Sequence, residues 1–199
     1  LHGSIPCTVW CSWQHMAVHN YGDAYYQRLL KRRRKSLALF DNFVALAKVV
    51  KQVGGTISFE WPRHAYGWCQ PKVMQFIRDF GLTGPVDGCA FGLKHLEQPV
   101  YKPWRVVTDH VNLASNLSQH KCQHEQQFQH ERVQGSLTAK TAFYTPAMCE
   151  CFLHSLYPNI TSAHVPAMIC LPVEDSGHRH KDGLSLLDSQ GQFSAFADG

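Results

Sequence analysis

The segment from about Ala24 to Val53 constrains the fold more than any other part of the sequence. Its apolar residues recur at intervals of three and four, which is the spacing of one face of an amphipathic α-helix. The residues of this face are Leu39, Phe40, Phe43, Leu46, Ala47, Val50 and Val53. Gly54 and Gly55 follow directly, as glycines commonly do past a helix C-terminus. The segment therefore predicts a long helix with one broad apolar face.

Short β-prone runs lie on both sides of this helix. Residues 1–6 are mostly apolar and end in a proline, and residues 56–59 form a compact run that ends at Glu60. A second helix is predicted from Pro71 through Phe80, and Gly81 ends it. The order strand, helix, strand, helix predicts parallel strands joined by crossover helices.

The remainder of the chain predicts a closing β pair and irregular segments. Gly84–Gly92 and Trp104–Thr108 are predicted as two strands, antiparallel at the sheet edge. The fold class is therefore α/β, a partial doubly wound, Rossmann-like sheet. Residues 116–135, rich in Gln and His, are predicted as a loop. The domain is expected to span residues 1–172, with a flexible polar tail over 173–199.

Composition restricts the class of protein. The chain has 199 residues, a net charge of +4 and the apolar fraction of a globular protein, so wholesale disorder is excluded. No apolar run approaches the roughly 20 residues that span a bilayer, and no signal segment opens the chain. An intracellular protein is expected, and the eight scattered cysteines are read as free thiols or metal ligands. Because the sequence opens without Met, a fragment of a longer protein is expected.

Two polar side chains fall where the first two predicted strands end. Cys7 follows the first strand and Glu60 the second. Because neighbouring parallel strands end at one edge of a sheet, where α/β proteins bind ligands, the thiol and the carboxyl are expected to lie close together. A thiol beside a carboxyl suits nucleophilic catalysis with acid assistance. The alternative is a buried structural thiol and a surface carboxylate.

Several short motifs occur in the order found in DNA cytosine-5 methyltransferases. Residues 3–11, Gly-Ser-Ile-Pro-Cys-Thr-Val-Trp-Cys, resemble the Pro-Cys nucleophile loop of that family, and Phe59-Glu60-Trp61-Pro62 is similar to its Glu-Asn-Val loop. Residues 87–92 and 102–108 are similar to a turn and an arginine-bearing strand in phage and giant-virus members. Cys122-Gln123-His124 resembles a Cys-x-x-His segment of those proteins. The layout also resembles methyltransferase-like modules of retroelement polyproteins.

The resemblance implies a mechanism and a set of residues. Cys7 would attack C6 of a flipped-out cytosine, Glu60 would protonate the ring nitrogen, and C5 would accept a methyl group from S-adenosylmethionine. Arg105 would fix the loop or the base. The implied substrate-binding residues are Pro6, Thr8, Trp61, Pro62 and Lys102. DNA or another nucleic acid is the implied partner.

Departures from the family pattern keep a second reading open. Ile5 and Thr8 replace the first proline and the glutamine of the loop, and a glycine-rich Phe-x-Gly-x-Gly loop for the cofactor is missing from this sequence. The sequence as given is therefore expected to be inactive by itself. The alternative is a non-catalytic nucleic-acid-binding or structural module of a mobile-element polyprotein. A thiol hydrolase would require a histidine beside Cys7.

Two further features carry open alternatives. Residues 31–35, Lys-Arg-Arg-Arg-Lys, suit contact with phosphates or form the solvated face of a helix. Cys122, His124 and His130 have donors suited to zinc, with Cys89 and His120 as possible additions and no obvious fourth ligand. The alternative there is a polar loop with unbound histidines.

Overall fold

The structure, a computed structural model, describes residues 1–125, 127–135 and 137–159. Its strands are β1 His2–Gly3, β2 Ser58–Pro62, β3 Leu82–Asp87, β4 Lys94–His95, β5 Gln98–Pro99 and β6 Pro103–Thr108. Its α-helices are α1 Trp13–Gln52, α2 Pro71–Phe80, α3 Val111–Gln119, α4 Leu137–Lys140 and α5 Pro146–Leu156. The predicted tail at 173–199 and the end of the predicted domain lie outside the described residues.

Four strands form one mixed sheet in the order β1-β2-β6-β3. β1 pairs with β2 in parallel, as expected for two strands joined through the crossover helix α1. β6 is antiparallel to both of its neighbours, with Trp61 and Pro85 on either side of Arg105. β4 and β5 form a separate small hairpin. The structure is therefore a mixed α/β fold.

The long helix α1 begins eleven positions earlier than the pattern predicts, and a glycine breaks it. Gly22 has φ 69° and ψ −159°, a conformation that only glycine adopts readily, inside the span Trp13–Gln52. The helix ends at Gln52, and Gly54 follows with φ 76°. The predicted helical region is thus confirmed, and residues 13–21 add a short helical piece before the break.

Helices cover both faces of the sheet and enclose two apolar cores. The first core lies under α1 and α2 and contains Phe40, Phe43, Phe59, Trp61, Trp68 and Phe76 among its members. The second lies under α3 and α5 and contains Val86, Trp104, Val106, Leu113, Leu117 and Met148. Since successive residues of a strand point to opposite faces, Trp61 faces the first core while Glu60 faces the second.

Several sequence predictions need correction. Glu60 lies inside β2 rather than in a loop after it, because pairing with β6 continues through Pro62. The segment predicted as a strand to Gly92 leaves the sheet at Asp87 and continues as a 3₁₀ turn, Gly88–Phe91. The predicted loop at 116–135 starts inside α3. The antiparallel pairing of β3 and β6 is confirmed, but of these two strands only β3 lies at an edge of the sheet, while β6 lies inside it.

The apolar face of α1 also differs from the predicted set. Phe40, Phe43 and Ala47 are buried in the first core as expected. Leu39, Leu46 and Val53 are exposed, with Val53 at 80%. Leu39 and Leu46 each precede a buried residue by one position, so each lies about 100° around the helix from that residue, outside the contact with the first core. The pattern therefore located the helix correctly but overestimated its buried width.

Candidate functional site

The loop that carries Cys7 leaves β1 and is fixed to the neighbouring strand. Cys7 precedes a 3₁₀ turn at Thr8–Trp10, and its carbonyl accepts the N–H of Trp10 at 2.8 Å. The indole of Trp61 donates to the carbonyl of Ile5 at 2.6 Å. The half-buried Cys7 side chain packs against the first core together with Ile5. The thiol is thus held in the loop after β1, as the sequence predicts, but it packs against the first core, whereas Glu60 faces the second.

Glu60 carries the most unusual polar group in this region. The residue is only 4% exposed, and its Oε2 accepts hydrogen bonds from the hydroxyls of Ser4 at 2.8 Å and Tyr144 at 2.9 Å. Its Oε1 is buried and has no hydrogen-bond partner. Since Oε2 accepts from two donors, a proton on this carboxyl would occupy Oε1. A buried polar atom without a partner is costly, and a proton on Oε1 lowers that cost because a neutral carboxyl is easier to bury than a carboxylate.

The charges of three groups in this region influence one another. Burial raises the pKa of Glu60, although the hydroxyls of Ser4 and Tyr144 and the charge of Lys102 oppose the rise. Burial also raises the pKa of Cys7, the charge of Glu60 adds to the rise, and the ammonium of Lys102 opposes it. Cys7, Glu60 and Lys102 therefore lie within electrostatic reach of one another. Together with Ser4 and Tyr144 they are called the Cys7 site below.

Tyr144 and His2 belong to this network, and sequence reasoning assigned neither a role. The Tyr144 hydroxyl hydrogen-bonds His2 Nε2 at 3.0 Å, and His2 Nδ1 hydrogen-bonds the Ser58 hydroxyl at 2.8 Å. Although His2 as a whole is exposed, its ring lies against Tyr144 and Phe152. Loss of water around the ring, with a smaller effect of the Leu1 ammonium, lowers the pKa of His2 to about 4. Burial and then the charge of Glu60 raise the pKa of Tyr144.

Lys102 and Arg105 occupy different surroundings. The Lys102 ammonium donates to the carbonyl of Thr141 and lies 5.3 Å from the centre of the Trp104 ring. Arg105 is opposite Trp61 in the sheet and therefore shares its face rather than that of Glu60. Its guanidinium lies over the ring of Trp68 at 4.9 Å, and its Nε has no hydrogen-bond partner. The structure thus brings Lys102, but not Arg105, to the face of Glu60.

Of the remaining predicted substrate-binding residues, two are exposed on the Cys7 loop and two hold parts of the fold together. Pro6 and Thr8 are exposed on the Cys7 loop, where Thr8 accepts the side-chain amide of Gln14 at 2.9 Å through its carbonyl. Trp61 is fully buried and holds the loop, and the carbonyl of Pro62 accepts the Trp68 indole at 2.9 Å. Within the part of the chain that the structure describes, no histidine hydrogen-bonds Cys7, so the arrangement that a thiol hydrolase requires is missing there.

A second group of side chains with metal-binding atoms lies just past the C-terminal end of β3. The donor atoms of Cys89, Cys122, His124 and His130 all lie within 4.8 Å of one another. The Cys122 sulfur is 3.3 Å from His124 Nδ1 and 3.3 Å from His130 Nε2, and the two ring nitrogens are 3.1 Å apart. With metal–ligand bonds of 2.0–2.3 Å, the edges of a tetrahedral zinc site are about 3.3–3.8 Å long. This metal cluster could hold a metal ion such as zinc.

The structure supplies the fourth donor that the sequence left open. Cys89 comes from the 3₁₀ turn after β3, more than thirty positions from Cys122, and burial followed by the neighbouring Cys122 raises its pKa to about 12. His120 does not take part, since its Nδ1 is 2.9 Å from the Asn116 carbonyl and its ring stacks on Phe91 at 4.1 Å. Only the turn at the end of β3 brings Cys89 to the loop, and no local spacing signals it.

A buried carboxylate ties the two halves of the metal cluster together. Asp87, 5% exposed, accepts the backbone N–H of Cys122 at 2.9 Å through Oδ2. Its Oδ1 lies 2.7 Å from Nη2 of Arg63. Asp87 thus fixes the loop of Cys122 against the strand that leads to Cys89. A carboxylate beside a metal site commonly orients its ligands.

No family model, curated protein or solved structure matches this chain. Among the described residues, no helix combines the length and the apolar character needed to cross a membrane.

Proposed function

We propose that the Cys7 site is the base-binding centre of a protein resembling DNA cytosine-5 methyltransferases. The observation that carries the proposal is the Glu60 carboxyl, which is buried and holds two hydroxyls on Oε2 but has no partner on Oε1. An acid proton on Oε1 matches the need of a cytosine ring nitrogen during attack at C6. The Cys7 thiol and the Lys102 ammonium lie within electrostatic reach of the same carboxyl.

The proposed reaction starts with one proton shared between Cys7 and Glu60. When that proton is on Glu60, the sulfur is a thiolate, and loss of the Glu60 charge removes one cause of the raised pKa of Cys7. The sulfur forms a bond to C6, the pair of the C5–C6 double bond shifts to C4–C5, and the pair of the C4–N3 double bond moves onto N3, which takes the proton from Glu60. Lys102 stabilises the thiolate before attack and the Glu60 carboxylate after it.

S-adenosylmethionine enters this proposal only as the methyl donor that the resemblance implies. The glycine-rich loop that would hold it has no counterpart in the sequence, and no described residue fits that role. The residues therefore do not fit the cofactor, and no step is assigned to it. What the chain itself can be tested for is covalent attack on the pyrimidine ring.

A DNA oligonucleotide containing 2-pyrimidinone tests this attack without a methyl donor, because the ring is more electrophilic at C6 than cytosine. Intact-protein mass spectrometry should show one adduct with the wild type and none with Cys7→Ser. Glu60→Gln should slow adduct formation by about 10²–10⁴-fold, the range of general acid catalysis. Cys11→Ser, which removes a half-buried thiol from the same loop, is the matched control and should react normally. Failure of the wild type to form an adduct would end the catalytic proposal.

A second candidate function is a structural zinc centre, favoured by the geometry of the metal cluster. We propose that Cys89, Cys122, His124 and His130 bind one zinc ion in a closed, four-coordinate site. A structural zinc centre is also compatible with a non-catalytic nucleic-acid-binding module, the alternative to the enzyme. Binding to nucleic acid that depends steeply on salt and is unchanged in Cys7→Ala would favour that alternative over the enzyme.

Metal content and the spectrum of a cobalt derivative test the zinc centre. The purified protein should contain one zinc per chain, and Co²⁺ in its place should give the visible absorption of a tetrahedral site with thiolate ligands. Cys89→Ser and Cys122→Ser should each lose the metal, whereas the exposed thiol variant Cys69→Ser should keep it. Equal metal content in all three variants would contradict this assignment.

A further inference from the structure

The exposed face near the middle of α1 carries a concentration of positive charge. Arg28, Lys31, Arg32 and Lys35 are all exposed, and their spacing of three, four and seven places them on one side of the helix. This set is called the basic stripe. In the described part of the chain none of the four is in an ion pair, although Asp41 and Asp109 pair with other lysines.

Like charges at these spacings destabilise a helix, so the arrangement is unfavourable in the absence of a counter-charge. The neighbouring Arg33 differs from the stripe. Its Nε donates to the carbonyl of Val9 at 3.0 Å, and its guanidinium lies over the Trp10 ring at 5.2 Å. Among residues 31–35, Arg33 therefore binds the Cys7 loop, whereas Lys31, Arg32 and Lys35 have no ion-pair partner among the described residues.

The basic stripe lies beside the same loop. Tyr25, one turn before Arg28, donates its hydroxyl to Gln14 at 2.7 Å, and Gln14 in turn donates to the carbonyl of Thr8 at 2.9 Å. The charges of Arg32 and Arg28 both reach the Tyr25 hydroxyl. The stripe is thus joined through Tyr25 and Gln14 to the residue that follows Cys7.

We propose that the basic stripe contacts the phosphodiester backbone of a nucleic acid and positions it along the Cys7 loop. The proposal rests on the proposed function for its choice of partner, since an exposed cation row alone also suits anionic lipids. Cations placed on a rigid helix can contact successive phosphates without reading the bases. Lys102 takes no part, because its ammonium is held by the Thr141 carbonyl.

The test is the salt dependence of binding to fluorescent oligonucleotides, with single-stranded DNA, duplex DNA and RNA as separate arms. The variant replaces Arg28, Lys31, Arg32 and Lys35 by glutamine. Each lost phosphate contact lowers the slope of log K against log salt by about 0.9 for a duplex and 0.7 for a single strand. The variant slope should therefore fall by roughly three to four on the preferred nucleic acid.

A control of equal charge change separates the stripe from the net charge. Lys48, Arg78, Lys94 and Lys140 are exposed on other surfaces, and their replacement by glutamine should leave the slope near that of the wild type. Far-ultraviolet circular dichroism checks that both variants fold, and the single variant Arg32→Gln should lower the slope by about one unit or less. The basic stripe variant is also tested for the 2-pyrimidinone adduct: a wild type that binds with a stripe-dependent slope but forms no adduct contradicts the proposed function alone, whereas an adduct with an unchanged slope contradicts the role of the stripe alone.

Three results would overturn the proposal. They are an unchanged slope in the stripe variant, an equal loss in the control variant, and no wild-type binding to any oligonucleotide at low salt. Binding to vesicles of phosphatidylcholine and phosphatidylserine in the absence of oligonucleotide binding would assign the stripe to a membrane surface instead.

Discussion

The Cys7 site and the metal cluster are built in opposite ways. In the Cys7 site, Glu60 lies inside a strand, and hydroxyls from two other segments hold one of its oxygens. In the metal cluster, three of the four donors belong to Cys122, His124 and His130, which lie outside the described helices and strands. Strand pairing and these hydrogen bonds therefore fix the first without a ligand. The second gathers thiols and imidazoles that a metal ion would hold far more strongly than their own hydrogen bonds do.

The largest expected effect concerns the metal cluster. Since a metal that binds only the folded state stabilises it by mass action, zinc at a thousand times its dissociation constant contributes about 4 kcal/mol to the free energy of unfolding. Chelation should lower the melting temperature of the wild type and leave that of Cys122→Ser unchanged. Amide exchange should accelerate around residues 120–131 and remain slow in β2. Faster exchange in β2 to the same degree would show that the two regions are not independent.

The Cys7 site should instead be identified by the way in which protein stability depends on pH. Burial raises the pKa of Glu60 above its value in the unfolded chain. The stability that Glu60 contributes is therefore complete below about pH 4.3 and is lost as the pH rises through its native pKa. Between the unfolded and the native pKa of Glu60, the free energy of unfolding of the wild type should fall by up to about 1.4 kcal/mol per pH unit relative to that of Glu60→Gln. Urea denaturation measures this difference.

Glu97→Gln provides the matched control for this pH dependence. The side chain of Glu97 is 94% exposed, so its removal should leave the wild-type pH dependence in place. If the free energy of unfolding of Glu60→Gln and of the wild type changed with pH in the same way, the native carboxyl would be ionised like an exposed one. That result would contradict the buried, raised-pKa carboxyl described for the site.

A smaller effect is expected when the hydroxyl of Tyr144 is removed. Tyr144→Phe takes away one of two hydrogen bonds to Glu60, which favour the ionised carboxylate, so the pKa of Glu60 should rise further. The loss should cost about 1 kcal/mol of stability above that pKa. Carbon-13 NMR of glutamate-labelled protein follows the titration, with Glu60→Gln assigning the signal. Tyr157→Phe, at an exposed tyrosine, should leave the pKa of Glu60 unchanged.

The sequence predicted the strand and helix framework better than the surroundings of each site residue. Pro71–Phe80 matches α2 at both ends because a proline starts the helix and Gly81 stops it. Periodicity also located α1, but it placed Leu39 and Leu46 in the core although both are exposed. Local spacing indicates which side of a helix is apolar. How much of that side is covered depends on a sheet assembled from distant segments.

The same limit explains which site residues were left open or missed. Cys122, His124 and His130 are close in sequence, so their spacing indicated a metal, whereas Cys89 was only a possible addition because it joins them through the turn after β3. Tyr144 reaches Glu60 across more than eighty positions. Arg105 carried an expected role, yet strand alternation places it on the face opposite Glu60. Long-range contacts of this kind leave no periodic signal in one sequence.

The smallest expected effect is at Lys102, the residue that connects the two regions. Its backbone carbonyl accepts the N–H of Gly88, beside Cys89, while its ammonium lowers the pKa of both Cys7 and Glu60. Lys102→Gln keeps the backbone bond and removes the charge together with the hydrogen bond of the ammonium to the Thr141 carbonyl. Alkylation of Cys7 by iodoacetamide at pH 8 should slow by less than about tenfold, since one pKa unit corresponds to a factor of ten in thiolate. Metal content should stay at the wild-type value, because the metal cluster depends on the backbone of Lys102 alone. Loss of metal together with slower alkylation would instead mean that the charge of Lys102 supports both regions, and the contrast between a packed site and a ligand-held one would fail at this residue.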